Sequence, residues 1–91
     1  MKKGKKMIEE NVEVKIDIGL HSKPGACFAN KAKEYKSSIQ ISKNGEQADA
    51  KNLLEILSLG IMGGNKIKIL ANGIDEEEAI EGLKKLLNEL G

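Results

Sequence analysis

The feature that most constrains the fold is an abrupt change of hydrophobic period on either side of Gly19–Ala26. Before it, Val12, Val14, Ile16 and Ile18 alternate with polar residues, the period of a strand with one buried face. After it, Phe28, Ala29, Ala32 and Tyr35 fall at i, i+1, i+4 and i+7, the stripe of a helix. A strand is therefore predicted over Val12–Ile18 and a helix from Lys23 to about Tyr35. Between them, Gly19-Leu20-His21-Ser22-Lys23-Pro24-Gly25 carries the only histidine and the only proline of the chain. Ser22 is the predicted N-cap, and Pro24 suits a first helical turn, where a missing N–H costs nothing. His21 then lies beside unpartnered backbone N–H groups at the positive end of the helix dipole, where anions bind. Lys23 adds a side-chain cation. Imidazole keeps a nucleophilic nitrogen available near neutral pH. The chemistry indicated is a histidine that accepts a dianion, most simply a phosphoryl group.

The rest of the chain supplies the partners for that strand and helix. Ser38–Lys43 reads as a second strand with Ile39 and Ile41 inward, and Asn44-Gly45 is a two-residue hairpin signal. Glu46–Ala50 is the third strand, with Ala48 and Ala50 inward. Asn52-Leu53-Leu54-Glu55 has the spacing of a capping box, so Asn52 should start a short helix that stops at Gly60. Gly63-Gly64-Asn65 is a turn before a fourth strand, Lys66–Ala71. Asp75 is expected to cap a last helix, with Glu76, Glu77 and Glu78 in its first turn. Ala79, Ile80, Leu83, Leu86, Leu87 and Leu90 form the apolar face of that helix. The order is βαββαβα, and three amphipathic helices must bury their stripes on one side of an amphipathic sheet. The expected fold is α+β: an open-faced two-layer sandwich with three helices on one face of a four-stranded antiparallel sheet.

Charge and composition narrow the function. In 91 residues, 15 basic side chains nearly cancel 14 acidic ones, so no global field draws the chain to nucleic acid or a membrane surface. Every basic residue is lysine, a point charge without arginine's bidentate fork. The single Cys27 excludes an internal disulfide and fits a reducing compartment; its place inside the first helix suggests a small core residue. One histidine and one cysteine are too few for a zinc site, and no cofactor is expected. No apolar run is long enough to span a bilayer. One domain is expected over 1–91, with 1–7 as a disordered leader. Leu53, Leu54 and Leu57 cannot all face the core if Ile56 and Leu59 do, so an apolar docking patch near His21 is expected. The other reading buries all five.

Gly19-Leu20-His21-Ser22-Lys23-Pro24-Gly25 resembles the active-centre motif Gly-Leu/Ile-His-Ala-Arg-Pro-Ala of the HPr family, the histidine-containing phosphocarriers of the bacterial phosphotransferase system. Lys51-Asn52-Leu53-Leu54-Glu55-Ile56-Leu57-Ser58-Leu59-Gly60 resembles the family's Lys-Ser-Ile-Met-Gly-Val-Met-Ser-Leu-Gly. The likeness runs from about Met7 to Leu90. It implies the same open-faced fold and a phosphoryl group on Nδ1 of His21, held by the amides of Ser22 and Lys23. It implies cytoplasmic relay, as a monomer, from enzyme I to enzyme II A-type domains, with Leu53, Leu54 and Leu57 docking partners. Several residues depart from the pattern, among them Ser22 in place of alanine. Lys23 replaces arginine. Gly25 replaces alanine, which should loosen the first turn by roughly 0.5–1 kcal/mol. Asn52 occupies the regulatory-serine position of Gram-positive members and has no hydroxyl to phosphorylate; Glu55, in place of glycine, adds charge to the docking face. These departures leave a second reading open, a regulatory module that binds a transcriptional regulator or an enzyme.

Overall fold

The computed structural model describes residues 7–17 and 19–90. The elements run β1 (Ile8–Glu13), α1 (Ser22–Ala32), β2 (Ser38–Lys43), β3 (Glu46–Asp49), α2 (Leu53–Ser58), β4 (Lys66–Asn72) and α3 (Glu76–Leu90). The sheet order is β1-β4-β2-β3 with every neighbouring pair antiparallel. This is the predicted open-faced sandwich. Ile39, Ile41, Ala48, Ile67, Ile69 and Ala71 are buried on the helix side of the sheet, against Phe28, Ala29, Ala32, Ile56, Ile80, Leu83 and Leu87. The other face is polar and wet. There Lys68 meets Glu9 at 3.4 Å with both side chains exposed, an arrangement worth less than about 1 kcal/mol.

The first strand lies earlier than its apolar alternation suggested. Pairing with β4 covers Ile8 to Glu13 and ends where Glu13 faces Lys66. Beyond that point Val14 meets the turn instead of a strand: its N–H donates to Asn65 O at 2.8 Å and its carbonyl accepts from Gly64 N at 2.7 Å. The alternation continues through this segment, so Val14 and Ile16 are still buried. Hydrophobicity therefore marked the buried side correctly but not the ladder, in which Glu9, Glu10 and Asn11 are poor strand formers. Ile18 and residues 1–6, most of the leader expected over 1–7, lie outside the described residues.

Asp75 precedes α3 as expected, but its carboxylate does not cap the helix. It accepts from the backbone N–H of Lys36 and of Ser37, each at 2.9 Å, and from the Ser37 hydroxyl at 2.5 Å. The side chain thus ties the α1–β2 connection to the start of α3. The Ser37 hydroxyl, followed by the Lys36 amide, holds the Asp75 carboxyl below its ordinary value. A depressed folded-state pKa stabilises the fold above the ordinary carboxylate range, and that contribution is lost as pH falls through the depressed value. Asp75→Asn is expected to be less stable than the parent at pH 7, with the gap closing toward pH 2. Urea titrations at the two pH values measure it; a constant gap would contradict this role.

Gly82 stands inside α3, where alanine would ordinarily be about 1 kcal/mol better. A β-carbon there would run into the Tyr35 hydroxyl and come within 3.0 Å of its Cζ. Tyr35 lies beyond the end of α1, not on it, and its ring closes over α3 at this bare position.

Candidate functional site

The site grows from the end of α1. His21, not Ser22, is the N-cap: its backbone is extended (φ −80°, ψ −168°), and Ser22 is already the first helical residue. Pro24 is thus the third helical residue, still within the turn that needs no internal donors. The first bond of the helix is Gly25 N to His21 O at 2.6 Å. The His21 side chain makes no capping bond and is exposed. The amides of Ser22 and Lys23 precede that first bond, and among the described residues neither finds a backbone acceptor. Ser22 and Lys23 are exposed as well. An accessible imidazole therefore stands next to two backbone donors at the positive end of an 11-residue helix, with a lysine beside it.

The segment leading into His21 is fixed from behind. Leu20 is buried, and its N–H donates to Ile61 O at 3.0 Å. Gly19 has φ +73°, and a β-carbon there would lie 2.5 Å from Met62 Cα. The Ile61–Asn65 loop is itself held by the two bonds to Val14 and by Met62 N to Asn65 Oδ1 at 2.8 Å.

α2 forms the neighbouring wall. Asn52 is its N-cap, accepting from Glu55 N at 3.2 Å. The capping box is only half formed. The Glu55 carboxylate accepts from Asp49 N at 2.9 Å, while Asn52 N is taken by Asp49 O at 3.0 Å. Glu55 thus fastens α2 to the end of β3. At the other end Lys43 Nζ donates to the carbonyls of Leu59 (3.2 Å) and Gly60 (3.0 Å), answering orphan acceptors at a helix C-terminus.

The five apolar residues of this helix divide. Ile56 and Leu59 are buried, Leu53 and Leu57 are half-buried, and Leu54 is 77% exposed. Gly25 explains how α2 comes so close: a β-carbon there would sit 3.1 Å from Leu53 Cδ1 and 3.7 Å from Leu57 Cδ2. The glycine that was expected only to loosen the first turn also makes room for Leu53, while Leu57 would meet an added β-carbon at ordinary contact distance. Cys27, expected in the core, is exposed. The buried side of α1 is Gly25, Phe28, Ala29 and Ala32, and position 27 falls off that stripe at 100° per residue. Met62, 56% exposed in the loop behind Gly19, was not singled out in the sequence, because a turn has no period from which exposure can be read.

The family model for the PTS HPr component phosphorylation site matches residues 8–89. HPr-like protein Crh of Halalkalibacterium halodurans is 40% identical over 77 residues, 85% of this chain and 92% of that protein. Phosphocarrier protein HPr of Buchnera aphidicola subsp. Acyrthosiphon pisum is 39% identical over 84 residues, 92% of this chain and 99% of that one. Among solved structures, HPr-C-His from Thermoanaerobacter tengcongensis superposes with a TM-score of 0.89 at 38% identity, covering 91% of this chain and 93% of that one. The chain belongs to the HPr family. Its role is therefore that of a phosphotransferase-system phosphocarrier or of an HPr-like regulatory protein.

Proposed function

We propose that this protein is the phosphocarrier form: His21 takes a phosphoryl group from enzyme I and passes it to enzyme II A-type domains in the cytoplasm. The observation that carries this reading is the exposed His21 at the N-cap of α1, making no capping bond. A residue whose only task was to start the helix would use its side chain on the N–H groups of the first turn. In the transfer, the imidazole lone pair attacks phosphorus as the bond between phosphorus and donor breaks, its electron pair returning to the donor. The Ser22 and Lys23 amides and the Lys23 ammonium balance the phosphoryl charge, and the onward step reverses the same exchange. The partner wall is Leu53, Leu54 and Leu57, with Leu54 the most accessible. The chain works as a monomer in this relay; because an HPr of T. tengcongensis, 40% identical, forms a dimer, sedimentation at working concentration checks that state. Incubation with enzyme I and phosphoenolpyruvate tests the reading: one acid-labile phosphoryl group should appear on His21.

Lys23 tunes the site. Arginine could present two parallel donors where lysine presents a point charge. Lys23→Arg is expected to accept phosphate several-fold faster or to hydrolyse more slowly once phosphorylated. Stopped-time phosphorylation and phosphohistidine decay measure both, and unchanged rates would remove Lys23 from the site.

The likeness to Crh favours a second reading, in which the α2 face serves a regulatory partner. Asn52 bears on it directly. It caps α2 as a serine would but offers no hydroxyl, so control through phosphorylation at this position is not available to the chain.

A further inference from the structure

We infer that Lys43 is a positioning residue for His21, acting through the two carbonyls at the end of α2; this rests on the phosphocarrier reading above. On the helix side of β2, alternation places Ile39, Ile41 and Lys43 in one row. The two isoleucines are buried and Lys43 is half-buried. A charge in an inward row needs a partner. Glu46 faces Lys43 across the hairpin, yet among the described residues Lys43 forms no ion pair. Its ammonium donates instead to the carbonyls of Leu59 at 3.2 Å and Gly60 at 3.0 Å. That is the negative end of α2, which has no basic residue in its own last turn.

The ammonium fixes a peptide plane next to the site. Gly60 has φ +61°, and glycine leaves the peptide that follows it free to turn. The Gly60 carbonyl belongs to that peptide, so the bond from Lys43 removes the freedom. The next carbonyl, that of Ile61, accepts from Leu20 N at 3.0 Å, and Leu20 precedes His21. The path from the ammonium is therefore the Gly60 carbonyl, one residue of chain, the Ile61–Leu20 bond and one more residue. The buried Ile61 side chain holds the loop against the core, but the direction of its carbonyl depends on the peptides on either side. The start of α2, with Leu53 and Leu54, is held separately by the bonds of Asn52 and Glu55. Releasing Lys43 thus disturbs the segment that carries His21 and leaves those leucines in place. A reacting group misplaced by about 1 Å can lose about a hundredfold in rate.

The test compares Lys43→Met, which keeps the stem and removes donors and charge, with Lys43→Arg, which keeps both. Hydrogen exchange of the Leu20 amide is read against that of Ala50, whose N–H bonds Ile39 O at 2.9 Å away from this path. In Lys43→Met, exchange at Leu20 should accelerate about tenfold and at Ala50 by less than about twofold. With enzyme I and phosphoenolpyruvate, kcat for phosphorylation of His21 should fall about tenfold with KM within about twofold of the parent. Lys43→Arg should stay within about twofold of the parent in every measurement. Equal acceleration at Leu20 and Ala50, or none at either, would overturn the inference, since Lys43 would then serve the whole domain or nothing. Faster Leu20 exchange with unchanged kcat would overturn it while leaving His21 as acceptor. A Lys43→Arg protein as impaired as Lys43→Met would overturn it as well. Selective acceleration at Leu20 in a protein whose parent form takes no phosphate would uphold the path from Lys43 to residue 21 and overturn the phosphocarrier reading alone.

Discussion

His21→Ala is expected to fold like the parent and to take no phosphate from enzyme I and phosphoenolpyruvate, a loss of at least about a thousandfold, since the variant has no nucleophile at the site. The two halves of this expectation have separate causes. His21 is exposed and its side chain caps nothing, so its removal creates no cavity and breaks no capping bond. Alanine can hold the same extended backbone, and Gly25 N still bonds the carbonyl of residue 21. The thermal midpoint should therefore stay within a few degrees of the parent, in line with surface substitutions of about ±0.5 kcal/mol. Intact-protein mass spectrometry under acid-avoiding conditions reads the phosphoryl group. A phosphorylated His21→Ala protein would move the acceptor elsewhere in the chain. A variant that unfolds would show that His21 is structural.

What the sequence disclosed and what it hid follow from the same physics. Burial has a period, and the period is written in the residues. Ile39, Ile41, Ile67 and Ile69 were legible as inward strand positions, and all are buried. Asn44-Gly45 was legible because a tight hairpin needs positive φ, and both residues have it (52° and 88°). Hydrogen-bond partners across the chain have no such period. Asp75 looked like a cap because of the helix that follows it; nothing near residue 75 announces Ser37. Glu55 looked like the second half of a capping box, yet the closeness of Asp49 N drew its carboxylate to the strand. The same limit governs the site. His21, Ser22 and Lys23 are consecutive, so their grouping at the helix end was visible. The Ile61–Asn65 loop reaches this segment only because it folds back onto Gly19, some forty residues away in sequence. Cys27 shows that one step of helical phase is enough to reverse inside and outside.

That fold-back makes Gly19 the residue on which fold and site depend together, and Gly19→Ala is expected to be the most damaging single-methyl addition near the site. Two costs add. The backbone at Gly19 has φ +73°, a left-handed conformation that costs an L-residue about 1–2 kcal/mol. The new β-carbon would also collide with Ile61 O, Met62 Cα at 2.5 Å and Ile61 C at 2.9 Å, all of them backbone atoms. A flexible side chain could swing aside; a loop tied at Val14, Leu20 and Asn65 cannot do so without breaking those bonds. The summed destabilisation should reach about 3 kcal/mol or more, a fall in thermal midpoint of about 12 °C or more for a domain of this size. Gly64→Ala is the control. Gly64 has φ +88° with nothing within 4 Å of an added β-carbon, so it carries the conformational cost alone, about 1–2 kcal/mol. The difference between the two variants in urea denaturation isolates the close approach. The same substitution should also slow phosphorylation of His21 at temperatures where the protein is still folded, because separating residue 19 from Ile61 loosens the Leu20–Ile61 bond that holds His21 in place. Equal stability losses for Gly19→Ala and Gly64→Ala would mean that the loop yields easily and does not brace the segment that carries His21.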